Sequence, residues 1–288
     1  MKQKCQDDGL FIDSAGTWAE QKHKLIAHYA RMFATSMKNK WQCRVYIDLF
    51  SSSGLAIIKG TSRIVKTSPL LSLDIPDQFD RYIFCDIEKE KIETLKERVS
   101  NICPKVDVKY HIGDCNKLVD TIIRSIPSYS RNYRVLSFCV IDPYKIDSFS
   151  FQTLEKLSAR FMDFLVLIPS FMDANRNTLN YFNGKSKVVE KYLGYQDWRS
   201  DWESEKSKGL KFGTFLVLKF NERMCSLRYI CLEPNEYVLI RNPKRNVPLY
   251  HLAFYSKNPL GKKFWNDARK GANAQLDLQD QLNLEWRS

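Results

Sequence analysis

The feature that most constrains the fold is an alternation of short apolar runs with amphipathic helical patterns between residues 45 and 169. Each run is rich in β-branched and aromatic residues and ends in a polar turn, which is typical of a buried strand. The predicted strands are 45–50, 81–86, 106–114, 135–144 and 162–169, and the helices between them are 87–100, 116–126 and 151–161. Strands that alternate with helices predict a mostly parallel sheet with helices on both faces.

The rest of the chain is predicted to add helices and a hairpin to this core. These additions are an N-terminal helical region of about 1–40, a helical insertion of about 170–211 after the fifth strand, a C-terminal β-hairpin of 236–242 and 248–256 with its loop at 242–247, and a polar helix from Lys262. Thr17 and Glu20 have the spacing of a capping box, so we expect the first helix to begin there. No linker or repeat interrupts the chain. We therefore expect residues 1–288 to form a single Rossmann-like α/β domain of about seven strands.

Charge and hydropathy restrict the partners and the location. The chain carries 45 Lys and Arg residues against 33 Asp and Glu residues, a formal net charge of +12. An excess of this size suits a polyanion such as RNA or DNA, because phosphate groups attract clustered cations. No run approaches the roughly 18 apolar residues of a membrane span. The start, MKQKCQDDGL, has acids where a signal peptide has its apolar stretch, so we expect a cytoplasmic protein.

The cysteines and histidines do not form a metal-binding pattern. None of the eight cysteines belongs to a C-x-x-C pair, and a zinc site or a disulfide scaffold requires close, paired ligands. Cys225 and Cys231 are the closest pair, and we expect them to be structural thiols. His23 and His28 lie five positions apart on the first predicted helix and do not share a face. The sequence therefore predicts no metal site.

Four predicted strands end at an acidic residue: Asp48, Asp86, Asp114 and Asp142. In an open α/β sheet, ligands bind outside the carboxyl ends of the strands, so these acids are expected at one rim. Each acid taken alone is equally well explained as the N-cap of the next helix. Four acids at the same rim are harder to explain by capping, and they favour a binding site.

The pattern at this rim suits a nucleoside with a cationic tail. The first strand ends in Asp48-Leu49-Phe50 followed by the small residues Ser51-Ser52-Ser53-Gly54, where the backbone can approach a ligand. Asp86 is placed to accept both ribose hydroxyls. Asp114 and the Cys115 N–H are placed to meet the amino group and a ring nitrogen of an adenine. The phosphate-binding motifs G-x-G-x-x-G and G-x-x-x-x-G-K-[ST] are absent, which favours a phosphate-free nucleoside such as S-adenosylmethionine.

In sequence order, D-L-F-x-x-x-G, F-C-D-I-E, G-D-C and I-D-P-Y resemble the motifs of class I S-adenosylmethionine-dependent methyltransferases. More narrowly, the chain resembles the bacterial three-Cys-motif partner proteins. The segments that carry this resemblance are 18–22, 46–54, 67–71, 141–144, 173–177 and 250–261. The resemblance implies a class I methyltransferase sheet, S-adenosylmethionine as the cofactor, and a radical-S-adenosylmethionine-like partner, which carries the three cysteines.

One position departs from that family. Its first strand usually ends in a form like D-x-F-A-G-x-G, and Ser52 stands where the first glycine is expected. If this position needs a positive φ, a side chain costs roughly 1–2 kcal/mol there. The departure affects the expected cofactor affinity and leaves the expected fold unchanged, since Gly54 is retained.

Asp142, Pro143 and Tyr144 form the candidate catalytic motif. They resemble the D/N-P-P-Y/F motif of amino-methyltransferases, in which the acid and a proline carbonyl hold the target amino group and the aromatic ring stacks on a flipped base. The alternative is a helix cap with a core tyrosine. Lys22 and Arg176 are candidate substrate-binding residues, because both are expected near the same rim. The alternatives are a solvated helix face for Lys22, which is the favoured interpretation, and an ion pair within the loop for Arg176.

The sequence therefore predicts transfer of a methyl group to a nitrogen, with a nucleic acid as the favoured acceptor; RNA, DNA and protein are not distinguished. The alternative is a non-catalytic Rossmann-like module that docks a radical-S-adenosylmethionine-like partner protein or a nucleic acid. Another nucleoside-using enzyme is disfavoured by the missing phosphate motifs. Trp198 and Trp202 are expected in the core, with base stacking as the minor alternative.

Overall fold

The computed structural model describes residues 5–182, 184–242 and 245–271. The chain divides into two compact units. The first unit consists of the residues up to Ile141 together with Arg160–Met162, and the second consists of Asp142–Ala159 and the residues from Asp163 onward. Two predicted features fall partly outside the described residues: the end of the C-terminal helix, from residue 272, and residues 243–244 of the hairpin loop.

The strands and helices follow each other in the order that the sequence predicts, with several short additions. The strands are β1 (Asp13–Ala15), β2 (Cys43–Asp48), β3 (Leu55–Ile58), β4 (Ile64–Lys66), β5 (Arg81–Asp86), β6 (Val108–Ile112), β7 (Val135–Ile141), β8 (Met162–Ile168), β9 (Val238–Arg241) and β10 (Pro248–Tyr255). The helices are α1 (Ala19–Met37), α2 (Ser68–Leu73), α3 (Lys89–Ile102), α4 (Cys115–Ser125), α5 (Phe151–Leu157), α6 (Thr178–Phe182), α7 (Val188–Leu193), α8 (Trp198–Ser207), α9 (Phe212–Ser226) and α10 (Pro259–Gly271).

The first unit is built on four parallel strands in the order β6-β5-β2-β7. Asp48, the last residue of β2, is in register with Phe84 of β5 and Val140 of β7. All six residues of β2 are buried, as expected for a strand covered on both faces. Because the strands are parallel, their carboxyl ends meet at one edge, which is where the predicted cofactor residues lie.

Helix α1 packs an apolar face into the first unit but begins differently from the prediction. Leu25, Tyr29 and Phe33 are buried at helical spacing. The predicted capping box is wrong, because the helix starts after Trp18 with no side-chain cap. The Glu20 carboxylate instead pairs with Arg63, 2.7 Å away, so it is not available to close a box.

A small second sheet, β1-β3-β4, was not predicted. Asp13 of β1 is in parallel register with Ala56 of β3, and β4 runs antiparallel to β3. The N-terminal region of about 1–40 is therefore not wholly helical. Strands of three or four residues are too short to show a periodic pattern, so their pairing with distant residues is not visible in the sequence.

The second unit contains the predicted hairpin. Strand β10 runs antiparallel to both β8 and β9, with His251 in register with Ile168 and with Leu239. The predicted insertion of about 170–211 is helical: a π-helical turn over Ser170–Ala174 is followed by α6, α7 and α8.

The two tryptophans of the insertion lie in the core of the second unit. Trp198 is fully buried and Trp202 is 5% exposed. Both rings contact Phe182 and Phe212, at centroid distances between 5.2 and 6.0 Å. The prediction of core tryptophans is confirmed, and base stacking on either ring is excluded by their burial.

The prediction that Cys225 and Cys231 are free structural thiols is wrong, because the structure joins them in a disulfide. A turn explains their proximity. The Arg228 N–H donates to the Cys225 carbonyl at the end of α9, and Arg228 has a φ of 65°. The chain therefore reverses within six residues, and the two Cα atoms lie 5.2 Å apart.

Seven strands form one sheet in the order β6-β5-β2-β7-β8-β10-β9. Its first five strands follow the 3-2-1-4-5 order of Rossmann-like sheets, and the hairpin of β9 and β10 completes the other edge. This is the predicted α/β class I methyltransferase fold. None of the helices among the described residues is long and apolar enough to cross a bilayer.

Candidate functional site

The loop after β2 joins the ends of two neighbouring strands. The Ser51 N–H donates to the Cys85 carbonyl of β5 over 2.9 Å, and the Phe50 N–H donates to Asp48 Oδ1 over 3.2 Å. Asp48 and Ser51 are fully buried. The Ser51 hydroxyl is buried and has no hydrogen-bond partner among the described residues. The loop thus presents a buried polar atom at the rim where a ligand is expected.

Two residues of this loop have left-handed backbone conformations. Ser52 has a φ of 58° and Gly54 has a φ of 92°. A β-carbon on Gly54 would lie 2.9 Å from Leu70 and 3.0 Å from Leu95. Gly54 is therefore required both by its backbone angle and by the side chains packed against it. Ser52 thus adopts a left-handed conformation that glycine adopts without a steric cost.

Asp86, at the end of β5, connects this loop to the next turn. Its Oδ2 accepts the Ser52 N–H over 2.8 Å, and its Oδ1 accepts the Glu88 N–H over 3.0 Å. Asp86 is 8% exposed, and this burial raises the pKa of its carboxyl above the ordinary value of 3.8. Because a carboxylate oxygen has two lone pairs, each oxygen has the capacity to accept a further hydroxyl.

Asp114 caps the helix that follows β6. Its Oδ1 accepts the Asn116 N–H over 2.9 Å and the Asn116 side-chain amide over 2.8 Å, as in an ordinary N-cap. Gly113 has a φ of 137°, and its N–H donates to the Asp86 carbonyl over 2.9 Å. Cys115 is buried and is the first residue of α4. Asp114 therefore acts as the N-cap of α4, which was the alternative to a binding role. It also lies beside Asp86, because the preceding residue is hydrogen-bonded to the Asp86 carbonyl.

Ile87 is a feature of the rim that sequence reasoning missed. It follows Asp86 directly, and its side chain is 69% exposed. Ile112, in register with Asp86 on β6, is 46% exposed. Exposed aliphatic side chains beside a strand-end carboxylate suit the face of an aromatic base. The signal was present in the sequence as the apolar residue within F-C-D-I-E.

The N-terminal strand also reaches the loop, which the sequence did not indicate. The Ser52 hydroxyl donates to Asp13 Oδ2, and the Ser53 N–H donates to the same oxygen over 3.3 Å. Lys91 lies 3.3 Å from Asp13 Oδ1. A second link is formed by the buried Arg98, which donates to both oxygens of Asp8 and to the Ser53 carbonyl at distances of 2.7–2.8 Å. Residues 52 and 53 are therefore held by Asp13 on one side and by Arg98, which is paired with Asp8, on the other.

The candidate catalytic residues lie at the start of the second unit. Tyr144 is 70% exposed, so the alternative of a core tyrosine is wrong. Pro143 is buried and Asp142 is half-buried. Burial, with a smaller contribution from the Asp142 carboxylate, raises the pKa of the buried Tyr250 hydroxyl. Asp142 therefore lies close enough to act electrostatically on Tyr250.

Asp173 is a structural residue of the second unit. Its Oδ2 accepts the Ile146 N–H over 2.8 Å, and Tyr181 and Asn177 donate to the same carboxylate at 2.8 and 2.6 Å. It thereby holds the chain that follows Asp142–Tyr144. Arg176, three residues later, is exposed.

The other predicted candidates are placed as follows. Lys22 lies half-buried in the first turn of α1, in the first unit. His111 shares a hydrogen bond with Ser125 at 3.0 Å, and the buried His251 shares one with Ser170 at 2.8 Å, so both are packing residues. Burial lowers the pKa of His251 to about 3, which keeps it neutral. No group of three His, Cys, Asp or Glu side chains in the described part of the chain is arranged to hold a metal ion.

The strand order, the loop after β2 and the acids at its neighbouring strand ends define an α/β protein with the class I methyltransferase fold. A crystal structure of the protein LPL1258 from Legionella pneumophila is similar, with 12% identity, coverage of 84% of this chain and 89% of that one, and a TM-score of 0.46. The O-methyltransferase TomG from Streptomyces achromogenes, solved in complex with SAM, has 10% identity, coverage of 89% and 93%, and a TM-score of 0.44.

Trm1 from Pyrococcus horikoshii, solved with S-adenosyl-L-methionine, is also similar. It has 11% identity and a TM-score of 0.44, and the match covers 91% of this chain and 64% of that one. No protein-family model matches the chain, and no curated protein matches it.

Proposed function

We propose that this protein is an S-adenosylmethionine-dependent methyltransferase that methylates a nitrogen of a nucleic-acid base. The observation that carries the proposal is the linked set of strand ends in the first unit. Asp86 accepts the Ser52 N–H from one side and its carbonyl accepts the Gly113 N–H from the other. The Ser51–Gly54 loop, Asp86 and the turn that leads to α4 are thus held together at the carboxyl ends of parallel strands. Open α/β sheets bind nucleosides at this edge.

The residues at this rim fit the cofactor by their chemistry. Asp86 would accept the ribose hydroxyls with the remaining lone pairs of its carboxylate. Ile87 would cover a face of the adenine, and the Asp114–Cys115 turn would meet its polar edge. Asp48, Phe50 and the Ser51–Gly54 loop would hold the rest, with the buried Ser51 hydroxyl as a polar contact. The cofactor, when bound, supplies an electrophilic methyl group.

The acceptor part of the proposal rests on the second unit. Tyr144 exposes 70% of its surface directly after Asp142 and Pro143, as a ring that stacks on an unpaired base must do. Asp142 would accept a hydrogen bond from the target amino group and orient its nitrogen. The exposed Arg176 and the net charge of +12 suit a phosphate backbone. Lys22 is proposed as a further substrate contact.

Three further proposals rest on the sequence, the first of them on its resemblance to three-Cys-motif partner proteins. A radical-S-adenosylmethionine-like protein with three cysteines is the proposed protein partner. The cytoplasm is the proposed location, and a single methyltransferase-like domain is the proposed organisation of the chain.

A non-catalytic binding module is the second candidate, and one observation favours it. Asp13 already accepts hydrogen bonds from the Ser52 hydroxyl and the Ser53 N–H. These are donors that a loop of this kind would otherwise offer to a ligand. A loop whose donors are satisfied within the protein suits a domain that retains the fold for docking.

Calorimetric titration with S-adenosylmethionine and S-adenosylhomocysteine separates the two candidates. Micromolar binding supports the methyltransferase, and no binding by a folded protein supports the docking module. Transfer of a labelled methyl group to RNA, DNA and protein fractions then identifies the acceptor. Asp142→Ala should abolish transfer while S-adenosylhomocysteine binding is retained, and Leu179→Ala, at an 89% exposed position, is the matched control.

A further inference from the structure

A cluster of exposed aromatic rings lies at the amino ends of the parallel strands. The predicted cofactor residues lie at the opposite, carboxyl ends, which we call the cofactor rim. Phe161 is 53% exposed, and its ring is 4.8 Å from that of Tyr129 and 5.8 Å from that of Trp41. Tyr129 and Tyr133 are 43% and 44% exposed. Soluble proteins expose large aromatic side chains singly, so several rings in contact at the surface require an explanation.

Backbone hydrogen bonds hold the segments that carry these rings together. The Cys43 N–H, at the start of β2, donates to the Arg134 carbonyl over 3.1 Å, and the Ser137 N–H of β7 donates to the Phe161 carbonyl over 2.9 Å. The Gln42 side chain accepts the Arg134 N–H over 3.0 Å. The rings are therefore presented by a fixed framework in the first unit.

Basic residues are interleaved with these rings. Lys40 precedes Trp41, Arg131 lies between the two tyrosines, Arg134 follows Tyr133, and Arg160 precedes Phe161. We call this set the aromatic–basic patch; it consists of Lys40, Trp41, Tyr129, Arg131, Tyr133, Arg134, Arg160 and Phe161.

No acidic residue occurs in the segments 38–43, 127–134 and 160–162 that form the aromatic–basic patch. Asp80, which acts on Tyr133 electrostatically, is already paired with Arg44 at 2.9 Å. The patch therefore combines flat rings with positive charge that no acid of its own segments compensates.

We infer that the aromatic–basic patch is a docking surface for single-stranded nucleic acid. Bases stack on aromatic rings in a sequence-tolerant way, and nearby Arg and Lys side chains contact the phosphates. An apolar or neutral protein surface would leave the four cations uncompensated, whereas a nucleic-acid strand satisfies both features. The inference stands whether or not the protein transfers a methyl group.

The patch is distinct from the cofactor rim. Cys43 and Asp48 are the two ends of β2, and at roughly 3.3 Å per residue they lie about 17 Å apart. Substitutions in the patch are therefore expected to change nucleic-acid binding without changing S-adenosylhomocysteine affinity. This separation allows the docking inference and the proposed function to fail independently.

Fluorescence anisotropy with a short labelled single-stranded RNA tests the inference. Phe161→Ala and Tyr129→Ala should each weaken binding about 5- to 100-fold, since stacking is lost. Arg131→Gln and Arg134→Gln should weaken binding and lower the log–log salt slope by about 0.7 for each phosphate group that the variant no longer neutralises. The same sequence as a duplex should bind less tightly than the single strand, because its bases are not free to stack.

Two matched controls define the comparison. Lys24→Gln removes an exposed charge on α1, outside the patch, and Leu179→Ala removes an exposed apolar side chain of the second unit. Both should bind RNA as the parent does. Because Phe161 and Tyr129 are exposed, their alanine variants should keep the parent's melting temperature.

Three results would overturn the inference. The first is RNA binding by Phe161→Ala and Tyr129→Ala that is as tight as that of the parent. The second is an absence of RNA binding by the folded parent at low salt. The third is a poly-glutamate peptide that binds the parent as tightly as the RNA and loses affinity in Phe161→Ala, which would assign the patch to an acidic protein partner.

Discussion

The hydroxyl of Ser52 donates a hydrogen bond to the carboxylate of Asp13, a residue of the first strand. Ser52 has a φ of 58°, which is unfavourable for a residue with a side chain. The same Asp13 carboxylate accepts the Ser53 N–H and lies 3.3 Å from Lys91. Ser52 therefore has a structural role: its side chain ties the loop to the N-terminal strand.

The first prediction concerns the coupling of these two residues. Ser52→Gly relieves roughly 1–2 kcal/mol of backbone strain but removes a hydrogen bond to a carboxylate, worth roughly 1.5–3 kcal/mol. In the parent, we expect the substitution to be neutral or slightly destabilising. In an Asp13→Ala background only the strain relief remains, so Ser52→Gly should stabilise. Urea unfolding of the four proteins should give a coupling energy of about 1.5–3 kcal/mol, because the strain relief is the same in both backgrounds and cancels.

A matched cycle uses Asp74→Ala, because Asp74 pairs with Lys66 in a different part of the first unit. There the two substitutions should be additive within about 0.5 kcal/mol. Additivity in the Asp13 cycle as well would show that the Ser52 hydroxyl contributes nothing to the loop.

The second prediction compares two glycines. Gly54 and Gly60 both have positive φ, 92° and 76°, but only Gly54 is crowded. Gly60→Ala should cost roughly 1–2 kcal/mol of backbone strain alone. Gly54→Ala should cost more, because its β-carbon would press on Leu70 at 2.9 Å. Thermal unfolding of both variants measures the difference, and equal losses would mean that Leu70 moves aside freely.

The main strands were predictable because each is a local run of apolar residues. Every residue of β2 and β8 is buried, and all but one residue of β7 are, which gives a continuous hydrophobic signal. The hairpin of β9 and β10 was visible for the same reason. In contrast, β1 has only three residues, none of them buried, and its pairing with β3 joins positions about forty residues apart.

The site was predictable only in part. The positions of Asp86 and Asp114 after their strands were predictable because an acid that follows an apolar run is a local pattern. The contact between Asp13 and Ser52 was not, since an interaction between distant segments leaves no trace in spacing. The burial of Asp86 was not predicted either: the structure encloses its carboxylate between the Ser52 and Glu88 N–H donors.

The third prediction separates the charge of the buried Asp86 from its hydrogen bonds to the backbone. Asp86→Asn keeps the size of the side chain and removes its charge, so it should weaken S-adenosylhomocysteine binding by about 1.5–3 kcal/mol with modest loss of stability. Asp86→Ala should also destabilise the fold, because the Ser52 and Glu88 N–H groups lose their acceptor. Calorimetry and urea unfolding measure both effects, with Asp74→Asn as the control. Unchanged binding in Asp86→Asn would remove the ribose assignment.

The fourth prediction is a pH dependence. The hydrogen bond from Arg98 lowers the pKa of Asp8 below 3.8, so the stability it provides is complete above that pH and is lost as pH falls through the lowered pKa. Asp8→Asn should be less stable than the parent near neutral pH, and the gap should close in acid. The pH dependence due to Asp86 has the opposite sign. Burial raises the pKa of Asp86, so its contribution to the free energy of unfolding falls as pH rises from 3.8.

Denaturant unfolding across this range, with parent, Asp8→Asn and Asp86→Asn in parallel, measures both slopes. As pH rises, the free energy of unfolding of the parent relative to Asp8→Asn should increase. The same quantity relative to Asp86→Asn should decrease. A gap for Asp8→Asn that is constant with pH would show that the Arg98 link does not depend on the Asp8 charge.

The last prediction concerns Asp173, which accepts the Ile146 N–H over 2.8 Å and the Tyr181 hydroxyl over 2.8 Å and is 2% exposed. Asp173→Asn puts an amide group where an acceptor is needed, so buried donors lose their partner at a cost of roughly 1–3 kcal/mol each. Tyr181→Phe removes one donor and leaves the Ile146 hydrogen bond intact, and it should cost only about 0.5–1.5 kcal/mol. If Asp173 holds the Asp142–Tyr144 segment in place, Asp173→Asn should reduce methyl transfer as well as stability, whereas Tyr181→Phe should retain transfer. Equal losses of transfer in both variants would show that the Ile146 hydrogen bond does not position the segment.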